Sequence, residues 1–343
     1  MSAERVTVIV VNYNGAAHIE RCLRALLAQS YPAHEIVVID NASTDGSLEL
    51  ARSFAPAVSC IPLAENAGFA RANNLAARAA RGEWIALINN DAFAAPDWLQ
   101  ALVDAARSAP EIGLVASQMV FDAQPDLINS TGVCIDRTGV VWDRSGGAMT
   151  LPPGPPVPVF GPSGGAALYR RELWQALGGL REDYFMYFED VDLAWQANWL
   201  GARSVLAPAA HVRHVVSASL GQASPAKTFW LARNKWLLLA RNYPRPYLWR
   251  YLPLIAAYDL LSFTATGLAG QWAAAGKGRM EGLRLAAAKA ALGPAHQARP
   301  AAAATVWEQL EPVAAPWRVS ARYAHLSRVT ARPERPRSGS PSR

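Results

Sequence analysis

Asn89-Asn90-Asp91 ends the apolar run Trp84-Ile85-Ala86-Leu87-Ile88 and sets one carboxylate beside two amides. A single protein carboxylate, completed by phosphate oxygens, suits Mg2+ or Mn2+. Both are hard cations that keep positions open for substrate oxygens. Three further polar clusters follow short apolar runs in the same way: Asn12-Tyr13-Asn14 after Val6–Val11, Asp40-Asn41-Ala42-Ser43-Thr44-Asp45-Gly46 after Ile36–Ile39, and Glu65-Asn66-Ala67-Gly68-Phe69 after Val58–Ile61. The turn after the first run, Asn12-Tyr13-Asn14-Gly15-Ala16-Ala17, holds one glycine and not G-x-G-x-x-G, and no G-K-[ST] run occurs. A glycine-rich phosphate cradle is therefore excluded. A carboxylate-held metal is the other common way to bind a diphosphate.

The elements that must position these clusters follow from the apolar runs. Four to six apolar, largely β-branched residues in a row read as strands buried on both faces. Segments of amphipathic, helical length separate most of them, and that alternation implies right-handed crossovers and a mostly parallel sheet. Ligands of such sheets bind at the carboxyl ends of the strands. The four clusters should therefore meet along one crevice.

Taken together, these motifs resemble family 2 glycosyltransferases of the GT-A fold. The similarity runs through Val8–Asn14, Asp40–Ser47, Glu65–Ala70 with Asn73-Asn74, and Leu87–Asp91. It continues in Gly164-Gly165-Ala166-Ala167-Leu168-Tyr169-Arg170-Arg171, in Tyr184–Leu193, in His214–Ser219 and in Arg233-Asn234. It spans residues 5 to 240 and lies nearest a rhamnosyltransferase-like branch. The implied architecture is α/β of GT-A type, a mostly parallel central sheet flanked by helices with a C-terminal helical extension.

The resemblance also implies roles, each beside a plainer reading. Asp40 either reads the donor nucleobase, flanked by Tyr13 and the Val11 backbone, or satisfies its own Asx-rich turn. Asp91 is the metal ligand, assisted by Asn89, or else belongs to an ordinary turn-forming Asn-Asp pair before Pro96-Asp97, and Asn90 lies beside the nucleotide. His214 adds an imidazole ligand, whereas His211 points to the opposite face of an alternating strand and is structural. Gly165 and Ala166 form the sugar pocket, and Asn74 lies near the nucleotide unless it only bonds structure. Asp45 and Ser43 read as helix caps. Asp190 is the general base, with Glu189 and Asp192 orienting it or holding the acceptor. All three acids could equally complement the dipole of the helix they open. Two departures from the family, Gly179-Leu180-Arg181-Glu182-Asp183 and Trp195-Gln196, fall on the acceptor side.

Residues 1–245 carry 20 basic and 22 acidic side chains, and residues 246–343 carry 13 and 5. The basic excess thus belongs to the C-terminal part, where apolar neighbours point to anionic lipid. No nucleic-acid motif is present. Leu252–Gly270 has one charge, Asp259. An aspartate at mid-bilayer costs about 2.5–3.5 kcal/mol against gains of about 0.3–0.6 for each large apolar residue. Spanning is therefore marginal, and a helix that packs on the catalytic part or lies in the interface is expected. The N-terminus runs straight into a strand with no signal peptide. Cys22, Cys60 and Cys134 read as free thiols. The expected location is the cytoplasm, peripheral at the inner face of the plasma membrane. Three divisions follow: 1–217, the glycosyltransferase domain; 218–295, a helical extension that is either membrane-interfacial or a plain helical subdomain; and 296–343, a basic Pro/Arg/Ser-rich tail, largely disordered. The proline run 152–158 reads as a surface loop.

The expected activity is inverting transfer of a sugar, rhamnose by branch, from a dTDP- or UDP-activated donor to a hydroxyl of a cell-surface glycan or lipid-linked acceptor. A nucleotidyltransferase on a similar sheet is the first alternative, although residues 12–15 lack its basic, glycine-rich loop. A non-catalytic membrane-assembly subunit is the second, and it would not need both Asp91 and Asp190.

Overall fold

A computed structural model describes residues 4–215, 224–289 and 300–318. The first half alternates as the apolar runs require: β1 (Val6–Asn12), α1 (Ile19–Leu27), β2 (Glu35–Asp40), α2 (Ser47–Arg52), β3 (Ser59–Pro62), α3 (Gly68–Ala79), β4 (Trp84–Asn89), β5 (Ala92–Ala94) and α4 (Trp98–Arg107). Then come β6 (Ile112–Phe121), β7 (Gln124–Ser130), β8 (Val133–Ile135), β9 (Val141–Asp143), β10 (Val157–Pro158), β11 (Ala166–Arg170), α5 (Arg171–Leu177), α6 (Glu189–Trp199) and β12 (Arg203–His214). Four helices follow: α7 (Pro225–Asn242), α8 (Arg245–Thr266), α9 (Trp272–Lys289) and α10 (Pro300–Gln309).

The central sheet runs β10-β12-β6-β11-β4-β1-β2-β3, with β5 on β12 and β7 on β6. Strands β3, β2, β1 and β4 are parallel, as their crossover helices demand. β11 is antiparallel to both β4 and β6, which makes the sheet mixed. The reason is local. Gly164-Gly165 brings the chain in at the carboxyl end of β4, where Ala166 pairs with Ile88, so β11 must run backwards. The result is a mixed α/β sheet of GT-A type with helices on both faces.

Alternate residues of each strand feed opposite layers. Val8 and Val10 pack with Ile19, Leu23 and Leu26 of α1 and Leu99 and Leu102 of α4. Ile9, Ile85 and Leu87 pack with Ala72 and Ala76 of α3, Trp195 of α6 and Leu238 of α7. The proline run stays outside helices, and its only strand is β10, two residues at the sheet edge. An edge is where a residue without an N–H is tolerated.

Residues 245–288 form a helical stretch long and apolar enough, by length and composition, to cross a membrane, and only 17% of its most apolar window is buried. The stretch is not straight. Gly270 adopts φ +84° within Gly267–Gln271 and breaks the helix there. Arg279 Nε then meets Asp259 Oδ2 at 2.8 Å, and Phe263 packs edge-on against Trp272 at 5.1 Å, so α9 returns along α8. α9 also lies close on α7. A side chain at Gly278 or Gly282 would strike the Phe229 or Arg233 carbonyl, each 2.4 Å away. The lone charge of the apolar stretch is therefore buried and paired.

The division at 217/218 falls in residues 216–223, and the one at 295/296 in 290–299, both outside the described residues. The low-complexity run after Arg332 lies outside them too. Residues 300–309 depart from the expected tail: they form α10, whose Trp307 is buried and stacks on Tyr247 at 4.2 Å. An alanine-rich run supplies helix propensity, and the aromatic contact supplies burial. All three cysteines are free, and Cys22 is buried.

Candidate active site

The carboxyl ends of β1 and β4, the Gly164-Gly165 turn, the start of α6 and the inner faces of α7 and α8 enclose one cavity of about 810 Å3. Val11, Tyr13, Asn89, Asn90, Asp91, Gly165, Glu189, Asp190 and His214 all line it. The sequence clusters are thus brought together as the crossover topology requires.

Asp91 and His214 form the sharpest pair. Asp91 Oδ1 lies 3.2 Å from His214 Nε2, and both side chains are about nine-tenths buried. His214 Nδ1 lies 2.9 Å from Asn129 Oδ1 of β7, a carbonyl that only an N–H on Nδ1 can satisfy. That contact places a proton on Nδ1 and turns Nε2 toward Asp91 and the cavity. Burial works to raise the Asp91 carboxyl, but the bond and charge of His214 outweigh it and hold the carboxyl below its usual range. A carboxylate and an imidazole nitrogen that face one cavity, with Asn129 behind the imidazole, form a donor set for a divalent cation with an outer hydrogen-bonding shell. No group of three or more His, Cys, Asp or Glu side chains converges among the described residues. A cation here would draw its other ligands from water and substrate oxygens, as Mg2+ and Mn2+ do in phosphate sites. Asn89 Nδ2 stands 3.5 Å from His214 Nε2.

The Gly164-Gly165 turn links this pair to the acids of α6. Gly165 packs so close to Met119 and Asn89 that a Cβ would lie 2.8 Å from the Met119 methyl. The Gly164 N–H donates to Asp190 Oδ2 at 2.8 Å, and the Val191 N–H donates to Oδ1 at 2.8 Å. Burial raises the Asp190 carboxyl, and these two N–H groups oppose the rise. Glu189 is buried more deeply, with Oε2 unpartnered among the described residues. Burial, then the Asp190 charge, pushes Glu189 well above the usual range. The two adjacent carboxyls thus sit in unequal surroundings: Glu189 is pushed up the further, and Asp190 is held back by its two N–H donors.

The aromatic segment before α6 is held in an uncommon shape. Phe185, Tyr187 and Phe188 have φ values of +62°, +67° and +71°. Asn234 of α7 fastens it, its amide nitrogen donating to the Tyr184, Met186 and Tyr187 carbonyls at 3.0, 2.8 and 2.9 Å. Arg233 donates to the Asp183 carbonyl and to Asn234 Oδ1, both at 2.8 Å. Gly68 must be glycine, because a Cβ would lie 2.5 Å from the Phe185 ring.

Other predicted residues sit beside the cavity. Asp40 is buried, accepting from Asn12 Nδ2 at 2.7 Å and the Ser43 N–H at 3.0 Å, and does not line the cavity. Asn12 also meets Asn90, which carries the network to the wall. Asn74 braces the loop before the aromatic segment, donating to the Leu180 carbonyl at 2.6 Å and accepting from its N–H at 2.9 Å. Asp192 points away and accepts from Asn242 at 2.6 Å and Tyr184 at 3.1 Å, tying α6 to α7. Ala166 is buried in β11. Asp45 accepts from the Ser47 N–H at the start of α2 and from the Ala16 N–H, but the N-cap position itself is Gly46. His211 contacts Gln118 and not the cavity. Sequence reasoning missed Asn129, Lys227 and Lys235, and it read Arg279 as a cation for anionic headgroups, whereas Arg279 is buried against Asp259. Asn129 has no local signal, since its partner lies 85 residues away.

Comparison with known proteins agrees with this fold. A rhamnosyltransferase of Mycobacterium tuberculosis, N-acetylglucosaminyl-diphospho-decaprenol L-rhamnosyltransferase, is 30% identical over 240 residues, covering 63% of this chain and 77% of its own. The O-antigen biosynthesis protein RfbC of Myxococcus xanthus is 28% identical over 251 residues, 68% of this chain but 19% of that one. Among solved structures, the mannosyltransferase PcManGT from Pyrobaculum calidifontis, in complex with GDP-Man and Mn2+, shares the fold with a TM-score of 0.53 and 24% identity. The match covers 95% of this chain and 86% of that one. The sequence model of glycosyl transferase family 2 matches residues 7–178, which takes in the sheet edge from β1 to β11. This protein is therefore a glycosyltransferase, a member of glycosyl transferase family 2 with a rhamnosyltransferase-like sequence.

Proposed function

We propose that the protein transfers rhamnose, with inversion, from dTDP-rhamnose to a hydroxyl of a lipid-linked glycan, at the cytoplasmic face of a membrane. The observation that carries this reading is the division of one cavity between the Asp91–His214 pair and Asp190, joined by the Gly164-Gly165 turn. The M. tuberculosis relative, named for rhamnose and a diphospho-decaprenol, supports the choice of sugar and acceptor.

Asp91, His214 and Asn89 would hold Mg2+ or Mn2+, and a bound cation neutralises charge on a departing diphosphate. Val11 and Tyr13 flank the donor base, Asn90 lies beside the nucleotide, and Asp40 acts behind them by fixing Asn12 and the Ser43 turn. Gly165 leaves room for the sugar, with Ala166 beneath it. Asp190 takes the proton of the acceptor hydroxyl as that oxygen bonds to the anomeric carbon. The bond from that carbon to the diphosphate breaks on the opposite face, and its electron pair leaves with the diphosphate. Base catalysis of this kind is worth about 10²–10⁴-fold. Alignment supplies much of the remainder. Glu189 keeps a proton beside the base, and Asp192 positions α6.

The outward faces of the C-terminal helices support membrane contact. Trp249 and Leu268 are each 79% exposed, Trp317 73% and Leu260 63%. Arg250, Lys277 and Arg284 are interspersed along the same helices. Apolar side chains beside cations suit an anionic bilayer surface.

The test is incubation with a panel of nucleotide sugars, Mn2+ and an N-acetylglucosaminyl-diphospho-polyprenol. Release of dTDP from dTDP-rhamnose, with a product of inverted anomeric configuration, is expected. Release from UDP- or GDP-sugars alone would refute the choice of donor, and retention of configuration would refute the role of Asp190.

A further inference from the structure

We propose that Lys235 and Arg279, bridged by Asp259, bind the phosphate of a lipid-linked acceptor at the helical wall of the cavity. The proposal rests on the transferase reading of that cavity and names the group of the acceptor that this wall recognises. Lys235 lies on α7, Asp259 on α8 and Arg279 on α9, and all three line the cavity. Arg279 Nε donates to Asp259 Oδ2 at 2.8 Å. Lys235 Nζ stands 3.6 Å from Oδ1, beyond a hydrogen bond, and Oδ1 is buried without a hydrogen-bond partner among the described residues. The three side chains are only 11–12% exposed.

Arg279 thus bonds to Asp259, whereas Lys235 meets it only as an ion pair, in a nearly dry place. Lys235 lines the cavity with an ion pair but no hydrogen bond among the described residues, and a buried ammonium is costly until an acceptor joins it. Of the nearby acids, Glu281 accepts from Arg233, while Asp136, bonded to the Thr138 hydroxyl and the neutral Thr138 and Val140 N–H groups, adds its charge near Lys235 without bonding to it. The donor diphosphate has its own place beside Asp91 and His214, so this second anion site falls to the acceptor. Leu231, Ala232, Leu261 and Ala265 line the cavity beside the cations. An anionic head next to an aliphatic wall matches an isoprenoid phosphate better than a free phosphate. Leu260 and Leu268, on the outer side of the same helical stretch, leave an apolar path toward a bilayer.

The experiment titrates the full chain, without divalent cation, with farnesyl diphosphate and separately with inorganic pyrophosphate. It also titrates dTDP in the presence of Mn2+. Farnesyl diphosphate should bind more tightly than pyrophosphate. Lys235→Met should lose about tenfold or more of farnesyl diphosphate affinity, as for a lost charge-assisted bond, with dTDP affinity unchanged. Lys235→Arg should retain it. Hydrogen exchange of the wild type provides a measurement that needs no variant: farnesyl diphosphate should protect the α8 and α9 turns around Asp259 and Arg279. Unchanged affinity in Lys235→Met, absent protection, or equal loss of dTDP affinity would each overturn the proposal. Pyrophosphate binding as tightly as farnesyl diphosphate would overturn the lipid assignment. Farnesyl diphosphate binding intact with no turnover of any nucleotide sugar would sink the transferase reading instead.

Discussion

Asn234→Ala removes the clasp that holds the aromatic segment ahead of Asp190. The amide nitrogen has two hydrogens shared among three carbonyls. Two net hydrogen bonds are worth about 1–3 kcal/mol, and a buried carbonyl left open adds about 1 more. Against this, Phe185, Tyr187 and Phe188 hold left-handed backbone that costs about 1–2 kcal/mol each, and the segment recovers part of that cost if it relaxes. The expected loss is therefore about 2–4 kcal/mol, capped by relaxation. Urea unfolding at constant m reads it directly. Relaxation moves Phe188, the residue that opens α6, and with it Asp190. Single-turnover transfer should therefore fall while calorimetric donor affinity holds. A stability loss under about 0.5 kcal/mol together with full turnover would refute the clasp.

Three further outcomes follow from the same geometry. Glu189 has a raised folded carboxyl, so its contribution to stability is present at low pH and lost as pH rises through that raised value. Glu189→Gln should melt higher than the wild type at about pH 8 and gain little at about pH 4, and an equal gain at both would refute the buried charge. Asn129→Ala frees the His214 Nδ1 proton, and Mn2+ affinity by calorimetry should drop about 10–100-fold; an unchanged value would remove Asn129 from the site. Flotation with phosphatidylglycerol vesicles should carry the protein at low salt and release it at high salt, whereas attachment that only detergent breaks would mean a spanning segment.

Much of the donor side was legible in the sequence, because apolar runs ending in polar clusters are a topological signal. Parallel strands carry Asn12, Asp40 and Asn89 to one edge whatever the side chains do next. Individual roles were less legible. Asp40, Asn74 and Asp192 meet strong local demands, for a turn N–H, a loop carbonyl and an α7 amide, and spacing alone cannot weigh a ligand against such partners. Asp259 read as an obstacle in an apolar stretch because its partners, Arg279 and Lys235, arrive only after the break at Gly270 folds α9 back. β11 read as one more strand, and its reversed direction depends on where Gly164-Gly165 enters the sheet.

The most direct test of the central claim compares Asp190→Asn with the wild type in single-turnover transfer from dTDP-rhamnose, beside donor affinity in Mn2+. The substitution keeps an acceptor oxygen for the Gly164 N–H and removes the base. The account predicts unchanged donor affinity and transfer lower by about 10²–10⁴-fold. Full transfer by Asp190→Asn, with loss appearing in Glu189→Gln instead, would contradict it.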